Sequence, residues 1–225
     1  VWITGTKVGA QSTLTGDWTA NVSKEKDKIN LNMESRSDKG GRHQMGHDYD
    51  FSDFQGLSRE QALNGGPVSF SLVREAGRID LEGSFQNGKG SGTFRFTPNA
   101  GFISAMKSRG FDFEQDNGER HAEDRLFVAT ALNITTALAD DLNSADFGKL
   151  GVEDLFKAAI FKIDSKFMRE MKASGFDNLG MEELVKARIF KIDAKFVTEA
   201  TQMGFDKEPF ESLVKMRIFK VTPEF

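Results

Sequence analysis

The sequence predicts an α+β fold, an antiparallel β-sheet half followed by a helical-repeat half, and three observations carry the prediction. Before Pro98 the dominant hydrophobic period is two, the period of strands with one wet face. After Pro98 the period lengthens and one segment recurs every 29 residues. Fifteen of the 21 phenylalanines also lie after Pro98, enough ring volume to fill the seams between stacked helices. The expected domains are residues 1–98, an antiparallel β domain, and residues 99–225, an α-helical repeat domain.

Six strands are legible in order. Trp18, Ala20 and Val22 alternate with polar residues, as do Ile29, Leu31 and Met33. His43, Met45, His47, Tyr49 and Phe51 share one face of a third run. Val68, Phe70 and Leu72 form a fourth, Ile79, Leu81, Gly83 and Phe85 a fifth, and Phe94 with Phe96 a sixth. Breaks at Lys24 to Lys28, Ser37 to Gly41, Ala76-Gly77 and Asn87 to Gly92 read as hairpin turns. The longer connection, Leu57 to Pro67, holds Ser58 and Gln61 at capping-box spacing and Gly65-Gly66 as a helix stop. Short breaks between consecutive strands predict an antiparallel meander, an open sheet or a partial barrel.

The repeat is read from its own residues. Lys166 to Phe176, KFMREMKASGF, aligns with Lys195 to Phe205, KFVTEATQMGF. Phe161-Lys162-Ile163, Phe190-Lys191-Ile192 and Phe219-Lys220-Val221 keep the 29-residue interval, as do Leu155, Leu184 and Leu213, and Phe147, Phe176 and Phe205. An earlier copy starts at Phe102, with Gly110-Phe111 matching Gly175-Phe176. It carries seven extra residues around Glu114 to Glu123, so its interval is 36. Four two-helix copies result. In each, a helix such as Ser165 to Ser174 ends on a left-handed glycine at Gly175, and a second such as Met181 to Phe190 carries Leu184, Val185 and Ile189 as its stripe. Phe167, Phe176, Phe196 and Phe205 are expected to be buried. Glu153/Lys157, Glu182/Lys186 and Glu211/Lys215 stand at i,i+4, where such pairs favour a helix by about 0.2–0.5 kcal/mol each. Helices of this length are marginal alone and must pack on neighbouring copies.

Composition excludes several functions. Thirty basic against 34 acidic residues give a net charge of -4, which argues against a dedicated nucleic-acid binder. No apolar run reaches the ~20 residues of a transmembrane helix. Zero cysteines remove disulfides, thiolate metal sites and cysteine nucleophiles. The first residue is Val1 and no leader precedes the strands, which predicts a mature or trimmed chain.

Candidate chemistry is sparse. His43 and His47 have the spacing of a zinc-binding helix, but Gln44 stands where H-E-x-x-H needs its glutamate, and the alternation makes the segment a strand. Asp48, Asp50 and Asp53 are the oxygen donors nearby; the expected outcome is no metal and no cofactor, with His43 and His47 the nearest approach to a site. Gly16-Asp17-Trp18 has the G-x-W form that opens lipocalin-like barrels, a short signal that a tryptophan starting any sheet core explains as well. Gly88, Gly90 and Gly92 resemble a phosphate loop, but a strand and no helix follows them. No catalytic motif stands out. In-register stacking would align Lys157, Lys186 and Lys215, and also Lys162, Lys191 and Lys220; the acidic rows beside the first set largely neutralise it. Lys162, Lys166, Lys191, Lys195 and Lys220, near the junctions between copies, are the expected partner surface.

Val68 to Asn99, VSFSLVREAGRIDLEGSFQNGKGSGTFRFTPN, together with the F-x-x-x-M/A-x-x-x-G-F and E-E-L-V-K-x-R-I-F-K-I units, resembles a bacterial family. In it such segments follow the membrane-embedded part of antibiotic-sensor-type zinc metallopeptidases, or occur in secreted proteins. The resemblance covers most of the chain and is most specific at Val221-Thr222-Pro223-Glu224-Phe225; the peptidase part has no counterpart here. Relatives carry an Ile-His-Gly-Val-Thr-Pro-Glu-Phe junction, whose His, Gly and Pro are absent from Phe190 to Phe196, so no histidine role carries over. The resemblance implies a bacterial protein outside the cytoplasmic membrane, periplasmic or secreted, with an interaction or sensing role.

Three functions from different classes follow. The first is a non-enzymatic extracytoplasmic binding or sensory domain, with a protein partner or an anionic surface and no nucleic acid. The second is a carrier of a small apolar ligand in a cavity bounded by Trp18, Met33, Phe70 and Phe85. The third is a hydrolase with an unrecognised carboxylate/His arrangement. Oligomeric state is left open.

Overall fold

The computed structural model describes residues 14–23, 27–36, 42–115, 121–205 and 208–221. The Ser37–Gly41 break, much of the insertion in the first copy and the Thr222–Phe225 end fall outside these residues. Contacts divide the chain into two compact units. One holds the sheet with residues 113–133; the other holds residues 104–112 and those from 134 onward.

Among the described residues the first unit is a seven-stranded, wholly antiparallel sheet. Its strands are β1 (Leu14–Val22), β2 (Lys28–Arg36), β3 (Arg42–Asp50), β4 (Phe54–Gln55), β5 (Gly66–Arg74), β6 (Gly77–Gln86) and β7 (Lys89–Pro98). The six expected strands are present, and β4, only two residues long, is additional. The order is β3-β2-β1-β7-β6-β5-β4, two meanders joined through the pairing of β1 with β7. Edge strands β3 and β4 are separated by one 3-10 turn, Phe51–Asp53. A flat sheet of seven strands would hold its edges about 28 Å apart. The stretch Asp50 to Phe54 spans at most about 14 Å. The sheet therefore curls into a half-barrel, and across its gap the rings of Tyr49 and Phe54 meet at 5.3 Å. Asp53 closes the turn by accepting from the Asp50 amide at 3.0 Å and from Arg74 at 2.5 Å.

Two facing glycines permit the bend. Gly83 on β6 and Gly92 on β7 pair directly. A Cβ on Gly92 would stand 1.9 Å from the Glu82 carbonyl oxygen, and one on Gly83 would stand 2.1 Å from that of Ser91. Only glycine allows this backbone approach. Trp18 lies across it, donating Nε1–H to the Glu82 carbonyl at 3.2 Å. The turn before β7 is Asn87-Gly88 alone, both at positive φ, so Gly90 and Gly92 are strand residues rather than turn. The helical turn α1 (Arg59–Asn64) has the expected capping box, with Ser58 and Gln61 exchanging bonds of 3.2 and 2.8 Å.

The first repeat copy contributes α2 (Ala100–Lys107) and α3 (Ala122–Ala131). The second of these corrects the expected boundary at Pro98, because α3 belongs with the sheet. Phe127 stacks on Phe94 (5.3 Å, 13°) and meets Phe96 edge-on, while the Tyr49 hydroxyl donates to the Ala131 carbonyl at 3.1 Å. The aromatic inner face of the sheet offers α3 more apolar surface than solvent does, and burial follows.

The second unit contains α4 (Thr136–Asn143), α5 (Val152–Phe161), α6 (Ser165–Ala173), α7 (Met181–Phe190), α8 (Ala194–Gln202) and α9 (Phe210–Ile218). Equivalent starts are 29 residues apart, as the sequence predicts. Thr135, Asp164 and Asp193 cap α4, α6 and α8 by accepting from Leu138, Phe167 and Phe196 amides at 3.1, 2.8 and 2.9 Å. Each such cap stabilises its helix by about 1 kcal/mol. The helices stack by type: α5 packs on α7, α7 on α9, and α4 on α6.

Candidate functional site

Each described helix pair turns through a left-handed residue, and at the second turn of the last three copies that residue is unusual. Asn133, Lys162, Lys191 and Lys220 occupy equivalent positions with φ of 54–55°. The Cβ of any non-glycine residue crowds the neighbouring carbonyl there; asparagine, whose short polar side chain can hydrogen-bond locally, is a common choice and lysine an uncommon one. The turns close with the amides of Ile163, Ile192 and Val221 donating to the carbonyls of Ala158, Ala187 and Met216 at 2.8–2.9 Å. The lysine side chains are exposed, and no ion pair engages them among the described residues. Of the five junction lysines, Lys166 and Lys195 differ: they lie 3.8 Å from Glu170 and Glu199 of their own helices.

A clamp from the next copy holds these turns. Arg188 Nη2 donates to the Lys162 carbonyl at 2.6 Å, and Arg217 Nη2 to that of Lys191 at 2.8 Å. The same guanidinium groups stand 3.7 Å over the rings of Phe167 and Phe196. The expected i,i+4 ion pairs are replaced by pairs between copies, Lys157 with Glu182 and Lys186 with Glu211. Stacked helices sit 8–10 Å apart, within reach of a lysine. These bonds raise the pKa of both lysines above the ordinary value.

Two residues before each of these lysines stands an exposed isoleucine. Ile160, Ile189 and Ile218 are 54%, 54% and 52% exposed, and Phe219 is exposed as well. Ile189 thus corrects its expected place on the buried stripe. At about 100° per residue it lies ~140° from Leu184 around the helix, whereas Met181 and Arg188 lie within ~60°. Sequence reasoning missed this row, although the 29-residue recurrence of Ile-Phe-Lys carried it. Among the four phenylalanines expected inside, Phe167 and Phe196 are buried, Phe176 is half-buried against Phe210, and Phe205 is exposed. Both follow left-handed glycines; the ring of Phe210 from the next copy lies against Phe176, whereas no such ring meets Phe205 among the described residues.

The sheet places the remaining candidates apart. His43 pairs with Ser35 in the backbone register, and its side chain falls outside the described residues. His47 is exposed and packs edge-on against Tyr49 at 4.9 Å. Asp48, Asp50 and Asp53 are engaged by Asn30, Lys28 and Arg74 respectively. No group of three or more metal-ligating side chains occurs among the described residues. Inside the sheet Trp18, Met33, Phe70 and Phe85 are buried, with Trp18 5.5 and 5.6 Å from Phe70 and Phe85. An open trough of about 610 Å³ lies on the other face of the sheet, lined by Asp17, Asp80, Glu82, Thr93 and Arg95 among others, with no histidine. Among the described residues of this unit, Tyr49 is the one titratable group with a large displacement: burial holds its phenol well above the ordinary value, Arg74 opposing and Asp53 reinforcing.

No helix among the described residues is long and apolar enough to cross a membrane. No known protein family, no curated protein and no solved structure matches this chain.

Proposed function

We propose that this chain is a non-enzymatic binding module whose helical stack presents the partner surface, with the sheet half as its support. The observation that carries the reading is the pair of parallel rows at the C-terminal ends of α5, α7 and α9: exposed Ile160, Ile189 and Ile218 beside exposed Lys162, Lys191 and Lys220. Both rows cost stability if they serve nothing. Half-exposed isoleucines forfeit burial, and lysine in a left-handed turn is strained. Repeat stacks meet partners through such regular faces, which vary without disturbing the seams. A location outside the cytoplasmic membrane and a sensing role rest on the resemblance of Val68 to Asn99 and of the repeat units. The carrier reading asks for an empty sheet interior, whereas side chains and α3 occupy it.

The test is selection of a random-peptide display library on the chain, followed by rebinding to a variant carrying Ile160→Ser, Ile189→Ser and Ile218→Ser. Enriched peptides should lose binding to the variant. Peptides that bind both proteins equally would place the partner surface elsewhere.

A further inference from the structure

We infer that the occupant of this face is an extended acidic segment with a three-residue period, wound as a left-handed polyproline-type helix. The inference rests on the binding reading above and adds the chemistry and geometry of the partner. Three features lead to it.

The first is charge. Lys162, Lys191 and Lys220 are exposed and without ion-pair partners among the described residues, whereas Lys157, Lys186, Lys166 and Lys195 are each matched by a glutamate. Among the described residues the chain pairs two members of the neighbouring row, Lys157 and Lys186, leaving Lys215 at its end, and pairs no member of this one. A cation at a helix C-terminus gains from the macrodipole, but that gain needs no left-handed residue and is available one turn earlier. An acidic partner accounts for both the position and the missing counter-charge.

The second is shape. The exposed isoleucines recur singly, one in each of the last three copies, and only exposed Phe219 at the end of the row adds to them. Single recurring anchors suit a linear ligand; burying into a membrane surface calls for a wider apolar face.

The third is spacing. Equivalent helices in packed contact stand 8–10 Å apart, so the rungs Ile160, Ile189 and Ile218 recur at about that interval. A polyproline-type chain rises ~3.1 Å per residue with three residues per turn, so every third side chain returns to one face after ~9.3 Å. A β-strand returns to one face after ~6.6 Å, out of step with the rungs. Apolar residues at i, i+3 and i+6 would therefore meet the three isoleucines, with an acidic residue in each turn set against a lysine.

The test compares two synthetic peptides of identical composition, one repeating Glu-Pro-Ile and one permuted to break the period, by fluorescence anisotropy against the whole chain. Vesicles containing an anionic phospholipid form a parallel arm. The regular peptide should bind at least about tenfold more tightly than the permuted one, more weakly in high salt. It should lose about tenfold or more on reversal of Lys162, Lys191 and Lys220 to glutamate, and likewise on the triple isoleucine-to-serine variant, both checked for unchanged circular dichroism. Equal binding of the two peptides overturns the period; if both variants still weaken it, the partner face itself stands. Vesicle binding that depends on the isoleucines, without peptide binding, overturns the proposal in favour of a membrane surface. Silence from peptides and vesicles alike overturns it too, and the display selection then decides the broader reading independently.

Discussion

Replacing Lys162 and Lys191 with glycine should stabilise the protein, although each change removes a side chain. Both residues hold φ of 54° and their side chains are exposed, so little packing is lost. A non-glycine residue in this conformation costs roughly 1–2 kcal/mol. Glycine avoids that cost but adds about 0.5–1 kcal/mol of backbone entropy to the unfolded chain. The difference leaves a gain of about 0.5–1 kcal/mol per site, roughly double for the pair if the sites are independent. Alanine at the same two positions is the control, because it keeps a Cβ and removes the charge. It should lie within about 0.5 kcal/mol of the parent, as surface changes usually do. The reverse experiment uses Gly175 and Gly204, at φ 95° and 92°. Alanine there should cost a similar amount with opposite sign. Urea denaturation followed by circular dichroism reads all four variants, with midpoints moving at constant slope. A glycine pair no more stable than the alanine pair would refute the strain argument, and with it the reading that these lysines are kept at a cost.

Three further outcomes follow from the same geometry. Tyr49 is the sequence's one tyrosine, and burial raises its pKa, so its stabilising contribution is present below about pH 10 and is lost as pH rises beyond it; tyrosinate absorbance should appear only with unfolding, and Tyr49→Phe should flatten the alkaline limb at a cost of about 1 kcal/mol. Hydrogen bonds from the Ser165 hydroxyl and amide, at 2.6 and 2.8 Å, lower the Asp141 pKa, so its contribution is present at neutral pH and lost as pH falls below about 4; Asp141→Asn should blunt that acid loss in urea midpoints taken across the range. Phe167→Ala should cost about 3–5 kcal/mol in chemical denaturation, because the ring is buried under Arg188, whereas exposed Phe205 should cost no more than about 1 kcal/mol.

Local structure was largely legible in the sequence, and long-range structure was not. Alternation placed six strands because the residue period of a half-buried strand is written in consecutive residues, and the 29-residue recurrence placed α6 and α7 nearly to the residue. The β1–β7 pairing had no such signature, since nothing near Leu14 announces Phe96 as its neighbour. Strand β4 is too short to show a period. The left-handed turns at Lys162 and Lys191 were hidden because their signal is glycine or asparagine; only Asn133, at the same offset, displayed it. The lysine–glutamate pairs were legible in kind but not in partner, since i,i+4 neighbours and next-copy neighbours both lie within a side chain's reach. The lysine rows were visible and the isoleucine row beside them was not, because Ile189 at four residues from Val185 mimics a stripe position.

The pairing of β1 with β7 also sets an order of events. In a growing chain β1, β2 and β3 can zip together once Asp50 has emerged, but the inner edge of β1 keeps its amides and carbonyls unpaired until β7 arrives, since Asn21 waits for Lys89 and Leu14 for Phe96. Even then the aromatic face stays bare until α3 supplies Phe127 and the Ala131 carbonyl. Closing a loop of that length adds less than about 1 kcal/mol over closing one of 29 residues. The larger effect is on rate, because non-local strand pairing is slow where neighbouring helices dock quickly. The helical copies, each completed by the residues just after it, assemble as they are made. The sheet half is thus the kinetic bottleneck of the molecule, and the interval before β7 and α3 arrive is when its open edge is most exposed to pairing with another chain.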